Sequence, residues 1–239
     1  MSRNELFLRS TFLVGLAVLG MPYGLGAQEP AAARGPAEPP GGPPLLFREE
    51  WKQPPYEGEL DDVKRRIRDR KEAVGNPNLE LTLYGPDTDD LLVALHEGRH
   101  DLWTGLELSP ICATLKDKHN YIDLTGRSRL RWITRTQSLH VIHTVVKLAD
   151  GTMLAGSDSI STDGDFLLNE VSFGHQRWYK LDPKLLVTTI EVKNPDLSRV
   201  DEIGFVDLMP SGGKGFAGWS NVSVVEVYAK SVPRERSSR

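Results

Sequence analysis

From Gly75 to the C-terminus, apolar and polar residues are arranged in short runs rich in Val, Ile, Leu, Thr and aromatics. They are LELTLYG (79–85), WTGLEL (103–108), CATLKD (112–117), YIDL (121–124), RLRWITR (129–135), HVIHTVVKL (140–148), TMLAG (152–156), FLLNEVSF (166–173), RWYKL (177–181), VTTIEV (187–192), VDEIGFVDL (200–208) and VSVVEVYAK (222–230). Asn-Pro, Asp-Gly and Gly-Gly signals separate them about every ten residues, which is the grammar of strands and turns. No long helical pattern alternates with these runs, so a parallel α/β sheet is disfavoured. The pattern predicts an all-β chain folded as an antiparallel β-sandwich.

Strand parity assigns faces. In 128–135 the even positions Leu130 and Trp132 are apolar, and the odd positions Arg129, Arg131 and Arg135 are basic, so one side packs and the other is polar. In the next run Ile142, Val146 and Leu148 share one face, leaving His143 and Lys147 on the other with Val141 and Val145. A hairpin joining the two runs would place Arg131, Arg135, His143 and Lys147 together. The same parity puts Trp132, Ile203, Phe205, Val225 and Val227 in the core.

One stretch has helical character. Leu60, Val63, Ile67 and Val74 recur at helix spacing within residues 57–74, with acids first and bases later, as the helix dipole favours. Its six acidic and six basic side chains cancel, so a solvated amphipathic helix explains the charge better than a nucleic-acid or lipid patch. Ahead of it, residues 1–27 read as a signal peptide: Arg3 and Arg9 precede the apolar run TFLVGLAVLG, and Gly24, Gly26 and Ala27 precede a polar segment. That run is short for a membrane span and is interrupted by Pro22. Residues 28–44 hold six prolines, three glycines and four alanines, the composition of an extended tether. A folded domain is expected over 45–230, beginning at LLFREEW, with a C-terminal tail at 231–239. The expectation is a secreted or periplasmic protein with no membrane span after cleavage.

Composition narrows the chemistry. Formal net charge is −4, and loss of Arg3, Glu5 and Arg9 would make the mature chain one unit more negative. That is the wrong sign for a protein whose main partner is nucleic acid. Cys112 is the single cysteine, which excludes an intrachain disulfide and any multi-cysteine site, and its apolar run suits a buried, inert thiol. Gly213–Gly218 satisfies G-x-G-x-x-G but precedes a strand pattern, so no helix N-terminus is there to hold a pyrophosphate. His140 and His143, three apart on a strand, face opposite ways. His96 and His100 sit four apart around Glu97-Gly98, too broken for a zinc-binding helix, and read as a surface loop. Glu170, Asp207 and Glu226 are carboxylates that a glycosidase would need in pairs, although any sandwich of this size carries some.

The segments DLTGRSRLRWITR, VVKLADGTMLAG, NPDLSRVDEIGFVDLM and WSNVSVVEVYAK resemble the strand and turn pattern of galactose-binding-domain-like jelly rolls, over roughly residues 79–230. That group includes many carbohydrate-binding modules and, more loosely, the complex I intermediate-associated family. The LLFREEW opening is similar to that of exported proteins of environmental bacteria. The resemblance implies a jelly roll and a carbohydrate or polysaccharide partner. It brings no diagnostic sugar-binding residues, and it would allow a structural calcium ion on Asp158, Asp163 and Asp165 in SDSISTDGD, where an ordinary turn is the competing explanation. Of the five tryptophans, Trp219 beside the glycine-rich turn is the best candidate for an exposed sugar platform. The leading expectation is an exported carbohydrate-binding or accessory protein. Its cationic face, Arg131, Arg135, His143 and Lys147, suits carboxylate or sulfate groups. A secreted lyase or glycosidase is the rival reading, and an envelope interaction protein without a small ligand is the third.

Overall fold

β-Branched and aromatic residues in period-two alternation build two antiparallel sheets in the computed structural model, which describes residues 41–54, 70–213 and 217–235. In chain order the first strands are β1 (Leu45–Glu50), β2 (Leu79–Tyr84), β3 (Leu92–His96), β4 (Arg99–Trp103), β5 (Ile111–Asp117), β6 (Asn120–Asp123), β7 (Arg129–Ser138) and β8 (Ile142–Leu148). They are followed by β9 (Met153–Ile160), β10 (Leu167–Ser172), β11 (Trp178–Leu181), β12 (Thr188–Val192), β13 (Val200–Asp207), β14 (Gly218–Tyr228) and β15 (Lys230–Pro233). One sheet runs β10-β7-β14-β4-β3, with β1 also on β14; the other runs β12-β11-β9-β8-β13-β5-β2, with β6 attached at β13 and β15 at β6. The all-β sandwich expected from the sequence is therefore what forms.

The core lies between the sheets. Trp132, Ile203, Phe205, Val225 and Val227 are all buried in it, as parity predicts, together with Leu130, Ile142 and Leu154. A second apolar cluster of Cys112, Val145, Met153, Leu181, Leu186 and Val206 sits on the other side of the nine-stranded sheet. There burial pushes the Cys112 thiol pKa up and leaves it inert.

Three expectations change. First, β7 and β8 do not form a hairpin: β7 pairs with β10 and β14 in one sheet, β8 with β13 and β9 in the other. Ser138, at φ 63°, turns the chain out of β7, and buried His140, bonded through Nδ1 to Asp207 Oδ2 at 2.7 Å, fixes the crossing. Arg131 and Arg135 are thus on a different sheet from His143 and Lys147. Second, residues 92–103 are a β-hairpin instead of a loop. Glu97 (φ 50°) and Gly98 (φ 77°) supply the two left-handed positions of a tight turn, while Thr104 to Leu108, expected to extend a strand from Trp103, lie outside strands. Third, residues 231–233, expected in the tail, pair with β6. Of the helix expected over 57–74, α1 (Arg70–Ala73) is helical and Val74 follows it outside the helix; residues 57–69, like the leader and most of the tether, lie outside the described residues.

Candidate functional site

The outward face of the six-stranded sheet is built from the odd residues of β7 and from alternate residues of β14, β4 and β3. Register places Arg135 opposite Asn221, and Asn221 opposite Trp103. A bulge in β14 between Val222 and Val224 restores the facing, so that Trp219 and Asn221 before it share a side with Glu226 and Tyr228 after it. The strands carry two different kinds of chemistry along this face.

At one end the charges are paired. Arg129 and Arg131, each with a nearly buried side chain, reach Glu170 Oε2 at 3.3 and 3.1 Å. Arg131 lies 3.9 Å from Glu226 Oε2, and Arg48 also binds Glu226. The Tyr228 hydroxyl donates to Glu226 at 2.9 Å, and both arginines stack over the Tyr228 ring, at 4.3 and 5.2 Å. Here the arginines balance carboxylates of neighbouring strands.

At the other end the groups are open. Arg135 lies over the Phe166 ring at 5.4 Å, its Nε is buried without a hydrogen-bond partner, and among the described residues no carboxylate forms an ion pair with it. His96 packs 6.4 Å from both Phe166 and Trp103, and Trp219 meets Trp103 edge to face at 6.3 Å. Gly105 lets the Trp103 indole lie against the backbone: a Cβ there would come 2.0 Å from the ring. Both indoles are only part-buried. Beneath them Asp101 is fully buried and accepts hydrogen bonds from His96 Nδ1 at 2.9 Å and Asn221 Nδ2 at 2.5 Å.

The other candidates disperse. Lys147 sits on the nine-stranded sheet and donates to Glu202 at 2.8 Å and Tyr84 at 3.1 Å. Burial alone would lower its pKa, but these two bonds outweigh it and raise it. Burial and the Glu202 carboxylate push the Tyr84 hydroxyl up to about 12 against the opposing Lys147. His143 donates from Nδ1 to the Gly156 carbonyl at 3.1 Å. Asp158 lies in β9 and Asp163 occupies a left-handed turn position (φ 46°). Among the described residues no group of three or more His, Cys, Asp or Glu side chains is gathered where it could hold a metal ion, so Asp158, Asp163 and Asp165 do not converge as a side-chain cluster. Asp207 is fully buried and bound by His140 and Ser220. A cleft of about 500 Å³ elsewhere, between Phe173–Trp178 and Glu191–Leu197, contains none of the expected residues.

No family model matches the chain, and no curated protein does. Solved structures similar to it include the family 11 carbohydrate-binding module of the cellulosomal cellulase Lic26A-Cel5E of Clostridium thermocellum, at 13% identity and a TM-score of 0.39, covering 76% of this chain and 95% of that one. The same organism's family 11 module in complex with a β-1,3-1,4-mixed-linked tetrasaccharide matches at 13% and 0.40, over 76% and 96%. An exo-β-agarase matches at 11% and 0.38, over 67% of this chain and 24% of that one. Carbohydrate-binding modules are the group its strand and turn patterns resemble. At this level of similarity, ligand and specificity rest on the side chains of the chain itself.

Asp101, Phe166 and Asn221 are not singled out by the sequence, and His96 and Trp103 are noted there without being placed together in a site. A signal was present: Leu92, Ala94 and His96, then Arg99, Asp101 and Trp103, alternate on either side of Glu97-Gly98 as the two arms of a hairpin.

Proposed function

We propose that this chain binds carbohydrate on the open end of the six-stranded sheet, with a sugar ring against Trp103 and Trp219 and an acidic substituent on Arg135. The carrying observation is a guanidinium without a carboxylate partner among the described residues, beside two part-buried indoles. Indole rings offer flat apolar surface to the C–H face of a pyranose, and a guanidinium binds carboxylate or sulfate in a two-pronged fork. Arg131, bound to Glu170 and Glu226, is structural in this reading, and so are His143 and Lys147 on the other sheet. The protein works outside the cytoplasm, after removal of residues 1–27, and its partner is an acidic polysaccharide.

Isothermal titration with matched acidic and neutral oligosaccharides tests this. The acidic ligand should bind more tightly, with affinity falling as salt rises. Equal affinity for both ligands, unchanged by salt, would sink the acidic specificity, and absence of any binding would sink the carbohydrate reading itself.

A further inference from the structure

The open end also holds a base that binding does not require. His96 has 35% of its side chain exposed, while the Asp101 carboxylate it meets is fully buried. An ionised carboxylate can only accept, so the proton between them belongs to His96 Nδ1, and in the neutral imidazole Nε2 is the nitrogen left to take up a proton. Asn221 holds the second oxygen of Asp101 and fixes the pair from β14. His96 and Arg135 both lie within 6.4 Å of the Phe166 ring, next to the indoles.

An imidazole oriented through Nδ1, beside a guanidinium that has no carboxylate partner among the described residues, is the equipment for removing a proton α to a carboxylate. The C–H is acidic enough only when the carboxylate charge is balanced, and a positioned base contributes about 10²–10⁴-fold. Hydrolysis of a glycosidic bond would instead use two free carboxyl groups. On the strands of this face, Asp101 is buried, and Glu50, Glu170 and Glu226 are held by arginines.

Resting on the binding reading, we infer that this face cleaves 4-linked uronate polysaccharides by β-elimination. Arg135 balances the C6 carboxylate and His96 Nε2 takes the C5 proton. The electron pair of that C–H bond becomes the C4–C5 double bond and expels the glycosidic oxygen on C4. The imidazolium, balanced by Asp101, returns its proton to that oxygen. One C–H and one C–O bond break, one C–C π bond and one O–H bond form, and no further reactant is consumed. His96 is the catalytic base, and Asp101 is a positioning residue that fixes its tautomer.

The test incubates the chain with polygalacturonate, alginate and hyaluronan, and with a neutral β-glucan as control. Unsaturated ends are read by ultraviolet absorbance and mass spectrometry, and binding is measured in parallel by titration. Conjugated product should appear with an acidic polymer only. His96→Gln should lose at least about 100-fold in turnover while still binding. Asp101→Asn, whose amide would donate to Nδ1 and move the proton to Nε2, should lower kcat with KM kept, a split that a merely structural role would not give. An acidic polymer bound without unsaturated product, or His96→Gln turning over like the parent, overturns the elimination and leaves the glycan reading standing. Neither binding nor product removes both.

Discussion

The two ends of one sheet face use the same residue type in opposite ways. Arg131 faces two carboxylates and a tyrosine and is nearly buried; Arg135, four residues along the same strand, faces a phenylalanine and has no acid partner among the described residues. Charge on a sheet becomes a site only where the neighbouring strands leave it unbalanced. The neighbours decide this: β10 and β14 supply Glu170 and Glu226 at one end, while Asn221 and Trp103 occupy the corresponding row at the other. The paired end is thus balanced within the sheet, and the open end is where the proposed recognition would take place.

The largest effect should strike both ends alike. Trp132, on the buried side of β7, is 1% exposed, and Trp132→Ala should cost roughly 3–5 kcal/mol in urea unfolding. A loss below about 1 kcal/mol, the range of surface changes, would mean that the two ends do not share this floor. A second effect is confined to the inner side of β1 beneath the paired end. Burial pushes Glu49 up to about 7, although the Asn76 and Gly75 amides donate to it and oppose the shift. A carboxyl whose pKa is higher folded than unfolded binds more protons in the folded state between the two values. Stability should therefore fall as pH rises from about 4.5 to about 7, by at most about 3 kcal/mol, and the lost part should be absent in Glu49→Gln. A variant with the same pH slope as the parent would assign that slope to other groups.

Third comes Arg131→Ala. It leaves Glu170 and Glu226 short of a partner and should cost about 2 kcal/mol, between the values for exposed and buried pairs, without changing glycan affinity in the folded protein. Weakened binding at unchanged stability would erase the division between the ends.

The division was only half legible in the sequence. Parity on a single strand was enough to place Trp132 inward and the arginines outward, because alternation is a local property of one chain segment. Which strand lies beside β7 is not local. The chain crosses between sheets at Ser138–His140, so the residues following Arg135 bring His143 and Lys147 to the other sheet, and the true neighbours come from β10 and β14, distant in sequence. The open end was hidden for a related reason. His96 and His100, spaced as on a helix, belong to different arms of a hairpin, and the Trp103 indole is set in place by Gly105 behind it and Trp219 from the far end of the chain. The core needed none of this information, since burial follows from parity alone.

The most direct test of the account is a salt-controlled titration of an acidic oligosaccharide into the parent, Arg135→Ala and Arg131→Ala proteins, with folding verified for each. Loss of a charge-assisted fork is worth about 1.5–3 kcal/mol, so Arg135→Ala should bind at least about tenfold more weakly and lose most of its salt dependence, while folded Arg131→Ala should bind like the parent. Equal losses in the two variants, or none in Arg135→Ala, would contradict the claim that the open end is the binding site.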